Sequence, residues 1–176
     1  MHHELRRKDR AMTPEETWQL LERGFTGSLA TVGEDGWPYV VPLSYVLHDG
    51  VIYFHKSNRP GHLVHNLAID SRVCFEVDEP GPVFPSGEKA PCQTSVGFQS
   101  LVLFGRCTAV TDAAEKMAAF RALMAKYADP SWVRPDVWPD MAITTVYRIS
   151  IEKITGKRRP VTVAPRWKDQ FPEQAQ

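Results

Sequence analysis

The chain has 176 residues, a length that fits one domain with a sizeable hydrophobic core. Its 21 basic and 21 acidic residues give a formal charge of zero, which argues against a general nucleic-acid or anionic-membrane surface because such surfaces need a basic excess. No apolar run is long enough to span a bilayer, and no apolar stretch follows the charged start as in a signal peptide. We therefore expect a soluble cytoplasmic protein without a nucleic-acid or membrane partner.

The N-terminal region combines an unpatterned arm with a well-marked helix. Residues 1–12 are polar and highly charged, and we interpret them as a flexible arm. Thr13 then offers a helix cap, Pro14 suits the first helical position, and Glu16 stands three residues after the cap, as in a capping box. Gly24 indicates where this helix ends.

From Gly27 onward, β-rich runs alternate with turn signals. Six strands are predicted, at Ser28–Val32, Trp37–Leu47, Val51–Lys56, Arg72–Asp78, Thr94–Val110 and Ala142–Ile154. The dipeptide Asp49-Gly50 between the second and third strands is the strongest hairpin signal of the chain. A short helix is predicted to open within Ser57–Gly61, and an amphipathic helix that is capped within Thr111–Glu115 reaches about Tyr127.

Two segments interrupt the predicted strands. Glu79–Pro91 contains four prolines and two glycines and predicts an irregular loop, whose unusual length favours a functional or interface role. Thr155–Arg159 predicts a basic turn that leads into a C-terminal tail at 161–176. Residues 13–160 as a whole are predicted to form one mainly β domain with flanking helices. Antiparallel strands of this number favour a small barrel, because closing a sheet removes its exposed edges.

The cysteines and histidines do not make a convincing metal site. The three cysteines are odd in number, widely spaced and without a C-x-x-C pair, and they are Cys74, Cys92 and Cys107. The three histidines of the central region are spaced by seven and three residues without an acidic or cysteine partner nearby in sequence, and they are His55, His62 and His65. We predict no metal, and an axial haem ligand among these histidines stays an alternative.

The run Tyr39–Tyr45 carries a proline inside a β-rich stretch. Pro42 has no N–H for the sheet ladder, so it indicates an edge, a bulge or a split between strands. In one interpretation this is an edge strand without a further role. In the other, the unpaired backbone groups beside Pro42 face a ligand that has a flat apolar body and a polar edge. The residues alone leave both interpretations open.

The run His55–His62 places basic and small polar side chains before a predicted helix start. Free N–H groups and the positive end of a helix favour an anion at such a place. Lys56 and Arg59 would add charge-assisted hydrogen bonds to phosphate oxygens, and Ser57 would add a hydroxyl. No acidic residue follows until Asp70. We therefore predict a phosphate site, with an ordinary solvated turn as the alternative.

The predicted strand at Thr94–Val110 is apolar on both faces. Alternation places Phe98 and Phe104 on one face, and Leu101 and Leu103 on the other. A barrel wall that also forms a dimer interface would have this pattern, and so would a buried central strand.

Taken in order, several motifs resemble those of one family. The run LATVGEDGWPYVVPLSYV, the hairpin DGVIYFH, the pair GH and the strand RVCFEVD are similar to the pyridoxamine 5′-phosphate oxidase-like flavin-binding split barrels, as are the later SVGFQSLVLFGRC and ITGK. Within that family the chain most resembles the branch of the 5-nitroimidazole resistance proteins, over about residues 5–158. The resemblance implies a six-stranded antiparallel split β-barrel of the FMN-binding type.

The resemblance also implies an FMN-binding homodimer whose two cofactor sites lie across the subunit interface. The phosphate is then expected on His55, Lys56, Ser57, Arg59 and His62. The flavin ring is expected beside Val41, Pro42, Leu43 and Ser44 of one subunit, Phe98, Gln99 and Ser100 of the second, and Lys157 at the rim. His55 matches a histidine beside the ligand and is the candidate catalytic residue. Many relatives carry lysine where this chain has Leu63, so Lys56 is expected to compensate.

The implied activity is that of an FMN-dependent oxidoreductase of the nitroimidazole-reductase type. It would transfer two electrons from NAD(P)H to a small acceptor such as a nitroaromatic. His55 could supply a proton to the reduced group or only hold the phosphate. Three alternatives stay open: a non-catalytic flavin carrier or sensor, a haem-binding split barrel, and a deazaflavin-binding one.

Overall fold

The computed structural model describes residues 4–85, 94–129, 131 and 143–159. The helices are α1 (Pro14–Arg23), α2 (His62–Ile69) and α3 (Ala113–Tyr127), with one 3-10 turn at Lys8–Arg10. The strands are β1 (Thr26–Val32), β2 (Pro38–Ser44), β3 (Val46–His48), β4 (Val51–Ser57), β5 (Arg72–Pro85), β6 (Thr94–Ala109) and β7 (Thr144–Arg159). Within these residues, no helix is long and apolar enough to cross a membrane.

The chain forms two compact units, each assembled from separate segments. The larger unit consists of Phe25–Glu76 and Val102–Ile154. The smaller unit consists of Met1–Gly24, Val77–Leu101 and Thr155–Gln176. The predicted tail at 161–176, Cys92 and the second half of the predicted loop at 86–91 lie outside the described residues.

The strands are hydrogen-bonded in the order β2-β1-β5-β6-β7-β4-β3. The pairs β1–β2, β1–β5, β3–β4 and β4–β7 are antiparallel. Only Tyr45 separates β2 from β3 in the chain, yet these strands lie at opposite ends of the order. The sheet must therefore curl until its two edges come within one residue of each other. This arrangement confirms the predicted split-barrel class.

Tyr45 explains why seven strands are found among the described residues instead of the predicted six. The predicted strand Trp37–Leu47 divides at this residue into β2 and β3. The Tyr45 amide donates a hydrogen bond to the Tyr127 hydroxyl at 3.0 Å, and that hydroxyl lies 2.7 Å from the Tyr45 carbonyl and 2.5 Å from the Phe25 carbonyl. The Tyr45 ring is fully buried, edge-on to Phe75. These contacts take the backbone of Tyr45 out of the sheet ladder.

The prediction of an irregular loop from Glu79 to Pro91 is wrong for its first half, because β5 extends to Pro85. A Cβ atom added at Gly81 would lie 2.9 Å from the carbonyl of Gly97, so two glycines let these backbones approach closely. Pro80 and Pro82 occupy alternate positions, which places both missing N–H groups on one side of the strand.

The prediction of a basic turn at Thr155–Arg159 is also wrong, since β7 continues through it. Gly156 is buried against Thr17 of α1, and a Cβ atom there would overlap the threonine hydroxyl. The Met12 amide donates to the Gly156 carbonyl at 3.0 Å, and Ala11 forms an isolated antiparallel bridge with Lys157. Packing within the smaller unit thus keeps this basic segment extended.

The helix signals at the start of the chain are confirmed. Thr13 accepts a hydrogen bond from the Glu16 amide at 3.2 Å, and the Glu16 carboxylate accepts from the Thr13 amide at 2.9 Å, which completes the capping box. The hairpin at Asp49-Gly50 is confirmed by φ values of 50° and 75°. Cys107 is buried in the core, and this burial raises the pKa of its thiol to about 12.

Candidate functional site

The larger unit contains a pocket of about 570 Å³ between β2, the end of β4 and the start of α2. This volume lies in the range of small-molecule sites. Its lining residues are Tyr39, Val41, Pro42, Leu43, Ser44, Phe54, His55, Lys56, Ser57, Arg59, Pro60, Gly61, His62 and Leu63.

One wall of the pocket is the edge strand β2. Its odd-numbered residues are half-buried and its even-numbered residues are exposed, a period of two that presents both side chains and backbone to the pocket. β2 is terminal in the sheet order and pairs with β1, where Pro42 lies opposite Ser28. A proline is tolerated on such an edge because its missing N–H costs no ladder bond. This apolar edge can pack against a flat ring.

The opposite wall is the turn that follows β4, and Lys56 holds it in place. The Lys56 ammonium donates to the Ser57 carbonyl at 2.6 Å and to the Arg59 carbonyl at 2.9 Å. The Ser57 hydroxyl accepts a hydrogen bond from the Arg59 amide at 3.3 Å. An ammonium has three N–H donors, and within the described part of the chain Lys56 uses two of them, so one remains available to a ligand. Lys56 therefore combines a structural role with a positive charge.

The N-terminus of α2 completes this wall. The helix begins at His62, just after the predicted start within Ser57–Gly61, because Gly61 is extended with φ 176° and ψ 170°. No side chain among the described residues caps this end, so the first-turn N–H groups are left to solvent or a ligand. The His62 ring stacks on Tyr39 at 5.3 Å between centroids, which joins the helix start to β2.

His55 lies near the end of β4, where it pairs with Val146 of β7, and it lines the pocket. Its ring lies 5.5 Å from Phe120, and burial lowers the pKa of His55 below the ordinary 6.5. The imidazole is therefore neutral at pH 7 and acts as a hydrogen-bonding group more than as a charge. None of the described lining residues is acidic, so Lys56 and Arg59 make this end of the pocket positive.

The pocket brings together nine of the thirteen residues predicted for the site, namely Val41, Pro42, Leu43, Ser44, His55, Lys56, Ser57, Arg59 and His62. The other four, Phe98, Gln99, Ser100 and Lys157, lie in the smaller unit. There the Lys157 ammonium lies 5.7 Å from the centre of the Phe98 ring, and the Gln99 side chain accepts a hydrogen bond from Arg23 at 3.0 Å. Their place at a subunit interface stays a prediction.

Five lining residues lie in the segment Tyr39–Asn66 predicted as the core of the site but were not named as individual site residues, namely Tyr39, Phe54, Pro60, Gly61 and Leu63. Tyr39 could have been found, because it shares the period-two face of Val41 and Leu43. Phe54 could not, since it is almost fully buried and its place in an apolar strand predicts only a core side chain.

A second pocket of about 410 Å³ lies on the other side of His62. Its lining residues are Gly33, Glu34, Asp35, His62, His65 and Asn66. The His65 imidazole lies 3.7 Å from the Glu34 carboxylate. In the described part of the chain, no group of three or more histidine, cysteine or acidic side chains is placed to hold a metal ion.

Residues 13–158 match the family model described as pyridoxamine 5′-phosphate oxidase. Similar solved structures include a candidate 5-nitroimidazole antibiotic resistance protein from Bacteroides thetaiotaomicron, with 18% identity, a TM-score of 0.71, and coverage of 89% of this chain and 96% of that chain. An FAD-binding protein from Mesorhizobium loti has 27% identity, a TM-score of 0.62 and coverages of 86% and 98%. A flavocytochrome from Azotobacter vinelandii has 21% identity, a TM-score of 0.76 and coverages of 97% and 79%. Among curated proteins, no significant match exists.

Proposed function

Because the chain belongs to the pyridoxamine 5′-phosphate oxidase family, we propose that it binds FMN in the pocket between β2, β4 and α2. The observation that carries this proposal is the division of the pocket into an apolar edge strand and a positive turn. FMN has the matching division into a flat ring system and a phosphate. Relatives at 27% identity or less that are named as flavin-binding support the same class of ligand.

The residues present fit both parts of the cofactor. The phosphate would be held by the third ammonium donor of Lys56, the guanidinium of Arg59, the Ser57 hydroxyl and the open N-terminus of α2. The ring would lie against Val41–Ser44. Leu63 stands where the resemblance predicts a phosphate-binding lysine, but it is 8% exposed and contributes apolar surface. Lys56 would therefore supply the positive charge for the phosphate in its place.

We further propose that two copies of the chain complete the site. On β6, Leu101 is almost fully buried, whereas Phe98, Gln99 and Ser100 are partly exposed and Val96 is 44% exposed. The exposed Val96 and the partly exposed Phe98 give this strand apolar surface, which is typical of an interface between subunits. In a homodimer, Phe98–Ser100 and Lys157 of the second subunit would close the open side of the pocket.

When bound, the flavin supplies two-electron chemistry. We propose an oxidoreductase that takes electrons from NAD(P)H and reduces a small acceptor such as a nitroaromatic, in line with the name of the Bacteroides relative. The protein positions the cofactor, excludes water with the apolar wall, and offers His55 as a proton donor or hydrogen-bonding group.

The purified protein should carry the absorbance bands of oxidised flavin and should oxidise NAD(P)H when a nitroimidazole is supplied. Light scattering of the same sample should give a dimer. A Soret band in place of the flavin bands would contradict the proposal and support a haem protein. Flavin without turnover for nitroimidazoles or quinones would identify a non-catalytic carrier, and a flavin-loaded monomer would contradict the shared site.

The titration of His55 tests whether it lies beside the phosphate. In the flavin-free protein, NMR should give a midpoint below 6.5, because burial disfavours the imidazolium. Because the pKa of His55 is lower in the folded than in the unfolded protein, the free energy of unfolding should fall as the pH drops below 6.5. Adding FMN should raise the midpoint, since a phosphate dianion favours the charged ring. An unchanged midpoint would place the phosphate elsewhere.

A further inference from the structure

The last turn of α3 holds Tyr45, the residue that separates β2 from β3. The Tyr127 hydroxyl accepts a hydrogen bond from the Tyr45 amide at 3.0 Å and lies 2.7 Å from the Tyr45 carbonyl. The Lys126 ammonium lies 4.0 Å from the centre of the Tyr45 ring. Two consecutive residues of α3 therefore contact Tyr45, one at its ring and the other at its backbone. We call Lys126 and Tyr127 the Tyr45 clasp.

The Tyr127 hydroxyl joins three segments of the chain. A phenol has one hydrogen to donate, and the Tyr45 carbonyl shares it with the Phe25 carbonyl, which lies just before β1 at 2.5 Å from the hydroxyl. The Ser44 side chain hydrogen-bonds to the same hydroxyl. Burial raises the pKa of Tyr127, so the hydroxyl stays protonated and can donate at neutral pH. One group thus ties the end of β2 to α3 and to the start of β1.

These contacts reach the proposed flavin site at Ser44. This residue is the last of β2 and lines the larger pocket. β2 is terminal in the strand order, so contacts other than the sheet ladder must hold its open side. At its other end, Tyr39 stacks on His62 at 5.3 Å between ring centroids. The wall Val41–Ser44 therefore lies between two points at which side chains fix the strand, Tyr39 and Tyr45.

We propose that Tyr127 is a positioning residue for the flavin ring, because its hydroxyl fixes the Ser44 end of β2 and so sets the affinity for the ring without touching it. This inference rests on the proposed flavin site. Without the hydroxyl, the amide of the buried Tyr45 loses the hydrogen bond that holds it, and β2 would exchange between its observed position and others. A ligand then binds more weakly in proportion to the fraction of the protein that is competent to bind it.

The test is Tyr127→Phe, which keeps the edge-on ring contact with Phe25 at 5.1 Å and removes only the hydroxyl. FMN, and riboflavin with the same ring and no phosphate, should both bind about tenfold more weakly to the flavin-free variant, as if about one-tenth of it were competent to bind. Inorganic phosphate should raise the NMR midpoint of His55 as much as in the wild type, because Lys56 and not Tyr127 holds the phosphate turn.

Tyr53→Phe is the matched control. The Tyr53 hydroxyl also bonds within the larger unit, where it donates to the Glu115 carboxylate at 2.8 Å, but Tyr53 lies on β4 and is not among the described lining residues of the pocket. Both variants should unfold at lower urea concentrations than the wild type, and only Tyr127→Phe should weaken flavin binding. If Tyr127→Phe does not fold, Lys126→Met replaces it, since loss of the ammonium over the Tyr45 ring should weaken FMN and riboflavin in the same way.

The outcomes separate this inference from the flavin site. If the wild type binds neither FMN nor riboflavin, the flavin site is wrong and the inference falls with it. If the wild type binds both and the clasp variant binds them equally well, the flavin site stands and the positioning role is wrong. A loss for FMN alone, equal weakening by Tyr53→Phe, or loss of the phosphate effect on His55 would each assign the change to another part of the unit and overturn the inference.

Discussion

Lys56→Ala is expected to raise the dissociation constant of FMN by about 100-fold, which corresponds to roughly 2.7 kcal/mol of binding free energy. The substitution removes a positive charge from the pocket. It also removes the two hydrogen bonds, at 2.6 and 2.9 Å, that hold the Ser57 and Arg59 carbonyls in place. The turn that presents the phosphate donors would therefore lose both its fixed backbone conformation and the positive charge of Lys56. Equilibrium titration of the flavin-free protein with FMN measures the effect.

Arg59→Ala removes a positive charge from the same turn without removing the hydrogen bonds that hold its backbone. The Arg59 side chain is exposed, and the contacts of Arg59 with Lys56 and Ser57 are made by its backbone. We expect about a tenfold weaker FMN complex from the lost charge alone. Lys116→Ala on α3 is the control for removing a lysine outside the pocket and should leave binding unchanged. If Lys56→Ala and Arg59→Ala weaken FMN binding equally, the hydrogen bonds from Lys56 to the turn do not contribute to binding. If Lys56→Ala binds FMN as tightly as the wild type, the phosphate does not bind at this turn.

The part of the site that could be predicted from the sequence is the part that is local in the chain. His55–His62 joins a strand to a helix within eight residues, so its basic side chains must lie close together whatever the rest of the fold does. The two hydrogen bonds from Lys56 to carbonyls of its own turn were not predicted, because the pattern of residue types does not show where a flexible side chain folds back. The acidic lining of the second pocket was missed because Glu34 and His65 meet only through the packing of α2 beside the β1–β2 turn.

The fold shows the same division between local and distant causes. The capping box of α1 and the hairpin at Asp49-Gly50 depend on a few consecutive residues, and both were predicted. The break between β2 and β3 depends on the Tyr127 hydroxyl, 82 residues beyond Tyr45, so a continuous run of strand-forming residues concealed it. The extended course of β5 depends on Gly81 meeting Gly97 of β6, a contact that neither sequence segment shows alone.

Gly105→Ala is expected to lower the free energy of unfolding by about 3 kcal/mol or more. A Cβ atom at this position of β6 would overlap the Ser150 carbonyl oxygen of β7 and lie 3.1 Å from its carbonyl carbon. Backbone atoms in the middle of a sheet cannot turn aside as a side chain can, so β6 and β7 would have to separate. Gly61→Ala is the matched control, because Gly61 has a φ of 176° and no atom within 4 Å of its added Cβ, and it should unfold like the wild type. Urea denaturation of the flavin-free proteins measures the free energy of unfolding of both variants. A Gly105→Ala value within about 1 kcal/mol of the wild type, as for an ordinary surface substitution, would mean that the two strands are not this close.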